Sequence, residues 1–228
     1  MESSVRTILF AAIGSGCLAA LPAAAHAGDD SQYWQTVNVG VDLGHGFRVT
    51  NETVLRTANH RGFYEVEDNL LVGYKLNRTT TVWAGYTHDP NYSHGDFTVM
   101  EHRFRQQVTF DNFVAAGSVK FSARLRGEER WRDGVVGTGY RMRPFVKATM
   151  PIAGKTLLVA SNESFFNLNR MAFQRQTGLD RMRTFVGVNT PLVKHVTLEA
   201  GYLNQHGFAR GGPDTDDHVA SVALNASF

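Results

Sequence analysis

His218-Val-Ala-Ser-Val-Ala-Leu-Asn-Ala-Ser-Phe228 alternates so that Ala220, Val222, Leu224, Ala226 and Phe228 share one face of an extended strand. Successive side chains of a strand point to opposite faces, and membrane barrels read as alternating segments of about ten residues with an aromatic girdle at each interface. The stretch reads as the closing strand of an outer-membrane β-barrel, with Leu224, Ala226 and Phe228 as the signal read by the assembly machinery. Taken alone, it would also suit an edge strand of a soluble sandwich.

The other end of the chain carries an address. Arg6 precedes an apolar stretch from about Ile8 to Ala25, and Ala25-His26-Ala27 is a small-x-small cleavage site. Residues 1–27 are expected to be a cleaved secretory signal peptide and 28–228 the barrel domain. Pro22 and the Gly14/Gly16 pair interrupt the apolar run, leaving it short of the roughly 20 residues a helical span needs. Cys17, the single cysteine, lies inside this leader, so the mature chain has no thiol for disulfides or catalysis. Gly14 stands where a lipoprotein box would want a large aliphatic residue. The formal charge is +2, and the mean hydropathy of −0.24 suits a barrel, which needs apolar residues only at alternate positions.

Period-two runs bounded by Gly, Pro, Asn and Asp recur after the leader, whereas 3.6-residue periodicity is missing. Eleven are read, at about 33–43, 47–57, 63–76, 80–89, 97–111, 118–131, 139–150, 155–167, 179–190, 194–206 and 217–228. Tight connections at Gly44-His45-Gly46, Asn77-Arg78-Thr79, Ile152-Ala153-Gly154 and Pro191-Leu192-Val193 alternate with longer polar ones at 90–96, 132–138, 168–178 and 207–216. Short turns on one rim and long loops on the other describe an up-and-down antiparallel barrel of about 10–12 strands. Eleven conflicts with the even numbers usual in bacterial barrels. The expected strand number is therefore ten or twelve, with the segment Tyr33 to Leu43 either irregular or part of a miscount.

Sorting by parity separates lipid-facing from lumenal residues. Val119, Phe121, Ala123 and Leu125 share one side of the sixth run, and Lys120, Ser122, Arg124, Arg126, Glu128 and Arg130 the other. Glu101, Arg103, Arg105 and Gln107 fall together on the fifth, Arg141, Arg143 and Lys147 on the seventh, and Arg181 and Arg183 on the ninth. Glu52, Arg56, Glu65, Glu67, Glu163 and Glu199 take inward positions on their own strands. An Arg or Lys facing the bilayer midplane costs about 2–4 kcal/mol, so a spanning chain must segregate them in this way. The inward set reads as an ion-pair ladder filling a narrow barrel, and its basic excess would attract anions. Trp34, Tyr64, Tyr74, Tyr86, Trp131, Tyr140, Phe166, Tyr202 and Phe228 are expected in interfacial belts, and Trp83 in the lumen.

Glu101-His-Arg-Phe-Arg-Gln-Gln107, Ala123-Arg-Leu-Arg-Gly-Glu-Glu-Arg130, Glu163-Ser-Phe-Phe-Asn167, Arg181-Met-Arg-Thr-Phe-Val-Gly187 and Glu199-Ala-Gly-Tyr-Leu-Asn-Gln205 resemble the outer-membrane barrel family catalogued as domain of unknown function 2490. The likeness runs over nearly the whole mature chain. It implies fold and location, with no reaction or ligand to carry over.

Chemistry offers less. His88, Asp89, Ser93, His94 and Asp96 gather at the 90–96 connection. A serine hydrolase needs a His within reach of the Ser oxygen and an acid orienting its other nitrogen. Such a group would make an outer-leaflet lipid hydrolase or acyltransferase, whereas a solvated polar loop needs no such geometry. His102, beside Phe104, reads as a girdle histidine. Asp214, Asp216 and Asp217 lack the spacing and closing Glu of a calcium loop. No metal site, cofactor site or nucleic-acid-binding helix is read. The expectation is a non-enzymatic barrel of the Gram-negative outer membrane, structural or a narrow conduit for small solutes, anions included. Its partners would be outer-membrane lipids, lipopolysaccharide and the barrel-assembly machinery. A soluble periplasmic sandwich or ligand-binding barrel is the remaining alternative.

Overall fold

The computed structural model describes residues 29–228; the expected leader, with Cys17 and its cleavage site, lies outside them. The chain forms β1 (Asp30–Gly44), β2 (Phe47–Ala58), β3 (Gly62–Lys75), β4 (Thr80–Ser93), β5 (Asp96–Ala116), β6 (Val119–Arg132), β7 (Gly139–Ala153), β8 (Thr156–Asn167), β9 (Gly178–Val193), β10 (Val196–Gly207) and β11 (Thr215–Ser227). Each pairs with its neighbours in sequence, and β1 meets β11 to close the barrel.

The strand count differs from the even number expected, and the closure explains why. In an up-and-down chain with an odd number of strands, the first and last run the same way, so their pairing must be parallel. β1 and β11 are parallel over Asp30↔Asp217 to Gly40↔Ser227. The Phe228 carbonyl accepts from Asp42 N at 2.8 Å, and Phe228 N donates to Gly40 O at 2.9 Å, which ties the last residue into the seam. The segment from Tyr33 to Leu43 is thus a regular strand, and no two strands were merged. It also follows that the first strand starts on the long-loop rim while the chain ends on the tight-turn rim.

The tight-turn rim carries the β1–β2, β3–β4, β5–β6, β7–β8 and β9–β10 connections, and the opposite rim carries residues 133–138, 168–177 and 208–214. The expected long connection at 90–96 is absent. β4 and β5 run on to a two-residue turn at His94 and Gly95, both at positive φ (53° and 91°), as a primed hairpin turn requires. Pro90 pairs with Met100 inside this ladder, and a register shift at Asn91 and Tyr92 absorbs the irregularity.

Alternation puts Val37, Val39, Val41 and Leu43 of β1, Leu70, Val72 and Tyr74 of β3, and Leu224 of β11 on the exposed outer face. The inner face holds the buried charges, with Arg105 and Glu101 both at 0 % exposure. Salt-bridged side chains therefore occupy much of the interior. Trp83 lies inside, as expected, and its Nε1 donates to Thr109 Oγ1 at 3.1 Å. Its ring covers Gly73, where any side chain would collide with it.

Candidate functional site

The ladder begins on neighbouring strands whose inward residues face one another in register. Arg103 faces Arg130, Arg105 faces Glu128 and Gln107 faces Arg126 across β5 and β6; Arg126 faces Arg143 and Glu128 faces Arg141 across β6 and β7. Because each carboxylate lies between arginines of several strands, the pairs merge into one network. Glu101 accepts from Arg103 (2.6 Å), Arg130 (2.9 Å) and Arg132 (2.5 Å). Glu128 binds Arg105 (3.1 Å), Arg141 (2.5 Å) and Arg143 (2.7 Å). Glu67 binds Arg56 (3.0 Å), Arg103 (3.2 Å) and Arg105 (2.5 Å). Glu65 pairs with Arg56, and Glu163 with Arg124 and, at 2.9 Å, with Arg143.

Nearer the tight-turn rim the ladder thins. Lys147 reaches Glu199 at 2.7 Å, and Glu52 Oε1 accepts from Asn69 Nδ2 at 3.2 Å. Arg181 and Arg183 complete the inward set expected from parity, and both bond Gln205 Oε1, at 3.4 and 2.8 Å.

Two aromatic expectations are corrected. Trp34 and Tyr64 point inward, at 5 % and 6 % exposure, so neither belongs to an interfacial belt. Arg56 and Arg183 lie over the Trp34 ring at 4.5 and 4.6 Å, and Tyr64 Oη donates to Gln32 Oε1 at 2.7 Å. Phe165, at 1 % exposure, packs beneath Arg143 and Arg183 at 4.4 and 4.7 Å. A desolvated cation over an aromatic face gains about 2 kcal/mol, which makes these rings part of the ladder. Tyr74, Tyr86, Tyr140, Phe166, Tyr202 and Phe228 are on the outer face. Trp131 stacks there against His102 at 5.9 Å.

The residues considered for catalysis are dispersed. His88 faces outward, next to His102 at 6.0 Å. Asp89 is buried in the lumen and pairs with Arg103. Ser93 and His94 sit on the exposed hairpin tip, their Oγ and Nδ1 3.3 Å apart; among the described residues no carboxylate forms an ion pair with His94. Asp96 begins the returning strand. His102 instead lies between Tyr86, which bonds its Nδ1, and Asp133, 3.3 Å from its Nε2.

The sequence reading missed Asn69, Asp89, Arg132, Phe165 and Gln205 as lumenal partners. Parity could have placed each. Asp89 shares a face with Trp83 and Thr87, but it was read with the loop because Pro90 and Asn91 follow it.

Beside the ladder the lumen keeps open volume. A cavity of about 230 Å³ near the long-loop rim, one of about 240 Å³ at mid-height and one of about 310 Å³ toward the tight-turn rim succeed one another. The first two share Arg56, Glu67, Arg143 and Arg183. The second and third share Glu52, Arg124, Arg126 and Asn225. A mouth of about 500 Å³ opens on the long loops, lined by Arg130, Arg132, Arg141, Arg175, Arg181 and Arg210 against one carboxylate, Asp180, among the described residues.

With this architecture established, comparison with known proteins finds a family match over residues 31–216, to the protein of unknown function family DUF2490. The chain belongs to this family. A relative, described only as an uncharacterized protein of Methylorubrum extorquens, is 29 % identical over 185 residues, covering 80 % of this chain and 75 % of the relative. No solved structure matches. Membership and barrel agree with the resemblance read from the Arg/Glu-rich segments.

Proposed function

We propose that this DUF2490 barrel spans the outer membrane of a Gram-negative bacterium, exported by way of a cleaved leader, and serves as a narrow conduit for small solutes. The observation that carries the reading is the inversion of its two faces, an outer face mostly of apolar side chains, interrupted at Asp68 and Glu129, and paired charges within. On β11 the outer row from Ala220 to Phe228 advances eight residues at about 3.3 Å each. Tilted by about 40°, it covers about 20 Å of height, close to the apolar band of about 25 Å in outer-membrane barrels. Aromatic rings border this band. Phe47 meets Tyr74 at 5.0 Å and His195 meets Phe228 at 5.8 Å on the turn side, and Tyr86 and Tyr202 stack on His102 and His218, each at 6.0 Å, on the loop side. A soluble barrel would leave this surface in water, far beyond the few hundred Å² usual for an exposed patch.

In this reading lipids and lipopolysaccharide contact the outer face, and the assembly machinery reads Leu224, Ala226 and Phe228. The successive cavities with shared walls support the conduit over a purely structural role. Fractionation and bilayer recording test the two parts. The protein is expected to stay in the outer-membrane pellet after a urea wash and to migrate in a heat-modifiable way. Purified barrel in planar bilayers is expected to give small, steady conductance steps. Release without detergent contradicts the location, and a silent bilayer at every voltage contradicts the conduit.

A further inference from the structure

The two junctions between successive cavities share a device that the ion-paired arginines of the ladder lack. Arg183, on the wall common to the upper and middle cavities, has a neutral hydrogen-bond acceptor, Gln205 Oε1 at 2.8 Å. Arg126, on the wall common to the middle and lower cavities, is held in the same way by Gln107 Oε1 at 2.7 Å. Among the described residues neither has a carboxylate within ion-pair distance, whereas Arg56, Arg103, Arg105, Arg130, Arg141 and Arg143 each do.

Of the carboxylates facing these junctions, Glu52 beside Arg126 accepts from Asn69 Nδ2 at 3.2 Å and forms no ion pair among the described residues, while the others are already engaged. Glu67 is bound by three arginines, Glu163 by Arg124 and Arg143, and Asp217 accepts from Gln205 Nε2 at 2.5 Å. Arg183 is fixed between the rings of Trp34 (4.6 Å) and Phe165 (4.7 Å). Its neighbour on the same face of β9, Arg181, likewise has no ion-paired carboxylate among the described residues. An unpaired cation in a desolvated lumen is costly, and a glutamine that spends one acceptor on it leaves guanidinium N–H groups facing the cavity. A planar guanidinium fork matches the oxygens of phosphate or carboxylate.

We infer that Arg183, with Arg181, and then Arg126 form two successive binding positions for a small oxyanion of the phosphate class, entered from the arginine-lined mouth. A cavity of about 230 Å³ is below the roughly 300–1,000 Å³ of sites for drug-sized ligands. The ligand is therefore inorganic phosphate or a small phosphate ester, smaller than a nucleotide. This inference rests on the conduit reading for the direction of travel, but the first position is tested without it.

Detergent-folded protein is titrated calorimetrically with inorganic phosphate at constant ionic strength, with chloride as comparator. Saturable phosphate binding at two positions is expected, the first weakened at least tenfold in Arg183→Gln and the second lost in Arg126→Gln, both variants checked for heat-modifiable migration. Arg183→Lys, which keeps the charge and loses the fork, should fall between. Phosphate flux into liposomes should drop in both glutamine variants. Absent binding, or binding that Arg183→Gln leaves intact in a folded barrel, overturns the inference. Binding without any flux overturns the conduit and leaves the Arg181/Arg183 site standing, so the two failures are distinguishable.

Discussion

Two walls of one barrel have taken opposite solutions to the same interior. β5, β6 and β7 alone send Arg103, Arg105, Arg124, Arg126, Arg130, Arg132, Arg141 and Arg143 inward, while β10, β11 and β1, adjacent around the parallel seam, contain neither lysine nor arginine. The seam wall lines the mid-height and lower cavities with Thr36, Asn38, Ser221, Ala223 and Asn225. Long charged side chains reaching from one wall toward a seam wall that, apart from Trp34, Glu199 and Leu203, lines the mid-height cavity with short neutral ones explain how a barrel of this size can be densely cross-linked and still keep a path along one side. The same division separates tasks, with ion pairs holding the arginine wall and backbone pairing holding the seam.

If the arginine wall carries the stability, the largest loss should come from Glu128→Ala, which strands three arginines around a fully buried position. A cost of about 3–5 kcal/mol is expected from breaking such a buried group, read as a lowered unfolding midpoint in detergent. On the seam, deleting Phe228 removes two backbone hydrogen bonds, about 1–3 kcal/mol at the usual net value per bond. The yield of heat-modifiable barrel should fall with it.

Effects near the open side should be smaller still. Glu199→Ala breaks a partly exposed pair with Lys147 and should cost about 1 kcal/mol or less; a loss equal to that of Glu128→Ala would erase the difference between the walls. Ala223→Leu projects into the middle cavity, so conductance should fall severalfold while the unfolding midpoint hardly moves. Last, Ser93→Ala and His94→Ala lie on the exposed tip outside both walls. Their stability should stay within about 0.5 kcal/mol of the parent, and lipid A and phospholipid profiles should not change.

Much of this was legible because barrel strands write their two faces in alternate residues. The rows through Arg103 and Arg105, or Arg124 to Arg130, needed no structure to be assigned inward, and Leu224 to Phe228 gave the outer face of the last strand. The parallel closure was hidden, since Tyr33 to Leu43 carries no local mark of pairing with residues nearly 190 positions away. The even-number expectation then outweighed a count that was correct. Trp34 and Tyr64 were drawn to the girdle by residue type, although Trp34 shares parity with Gln32 and Thr36 inside. The 90–96 connection was lengthened by Pro90 and Asn91, turn formers that the β4–β5 ladder accommodates through a register shift. The cavities and the two arginine–glutamine junctions depend on side chains meeting across non-adjacent strands, which periodicity does not report.

The face inversion is tested most directly at two adjacent residues of the seam wall. The single cysteine of the chain, Cys17, lies in the expected leader, so a cysteine introduced at Leu224 or at Ala223 gives an isolated label in the assembled barrel. A fluorophore at Leu224→Cys should be quenched by brominated lipid chains, while Ala223→Cys should escape that quenching and react with a charged, water-soluble thiol reagent. Equal quenching at both positions, or aqueous reactivity at 224 with lipid quenching at 223, would contradict a barrel that faces lipid with its apolar row and water with its lumen.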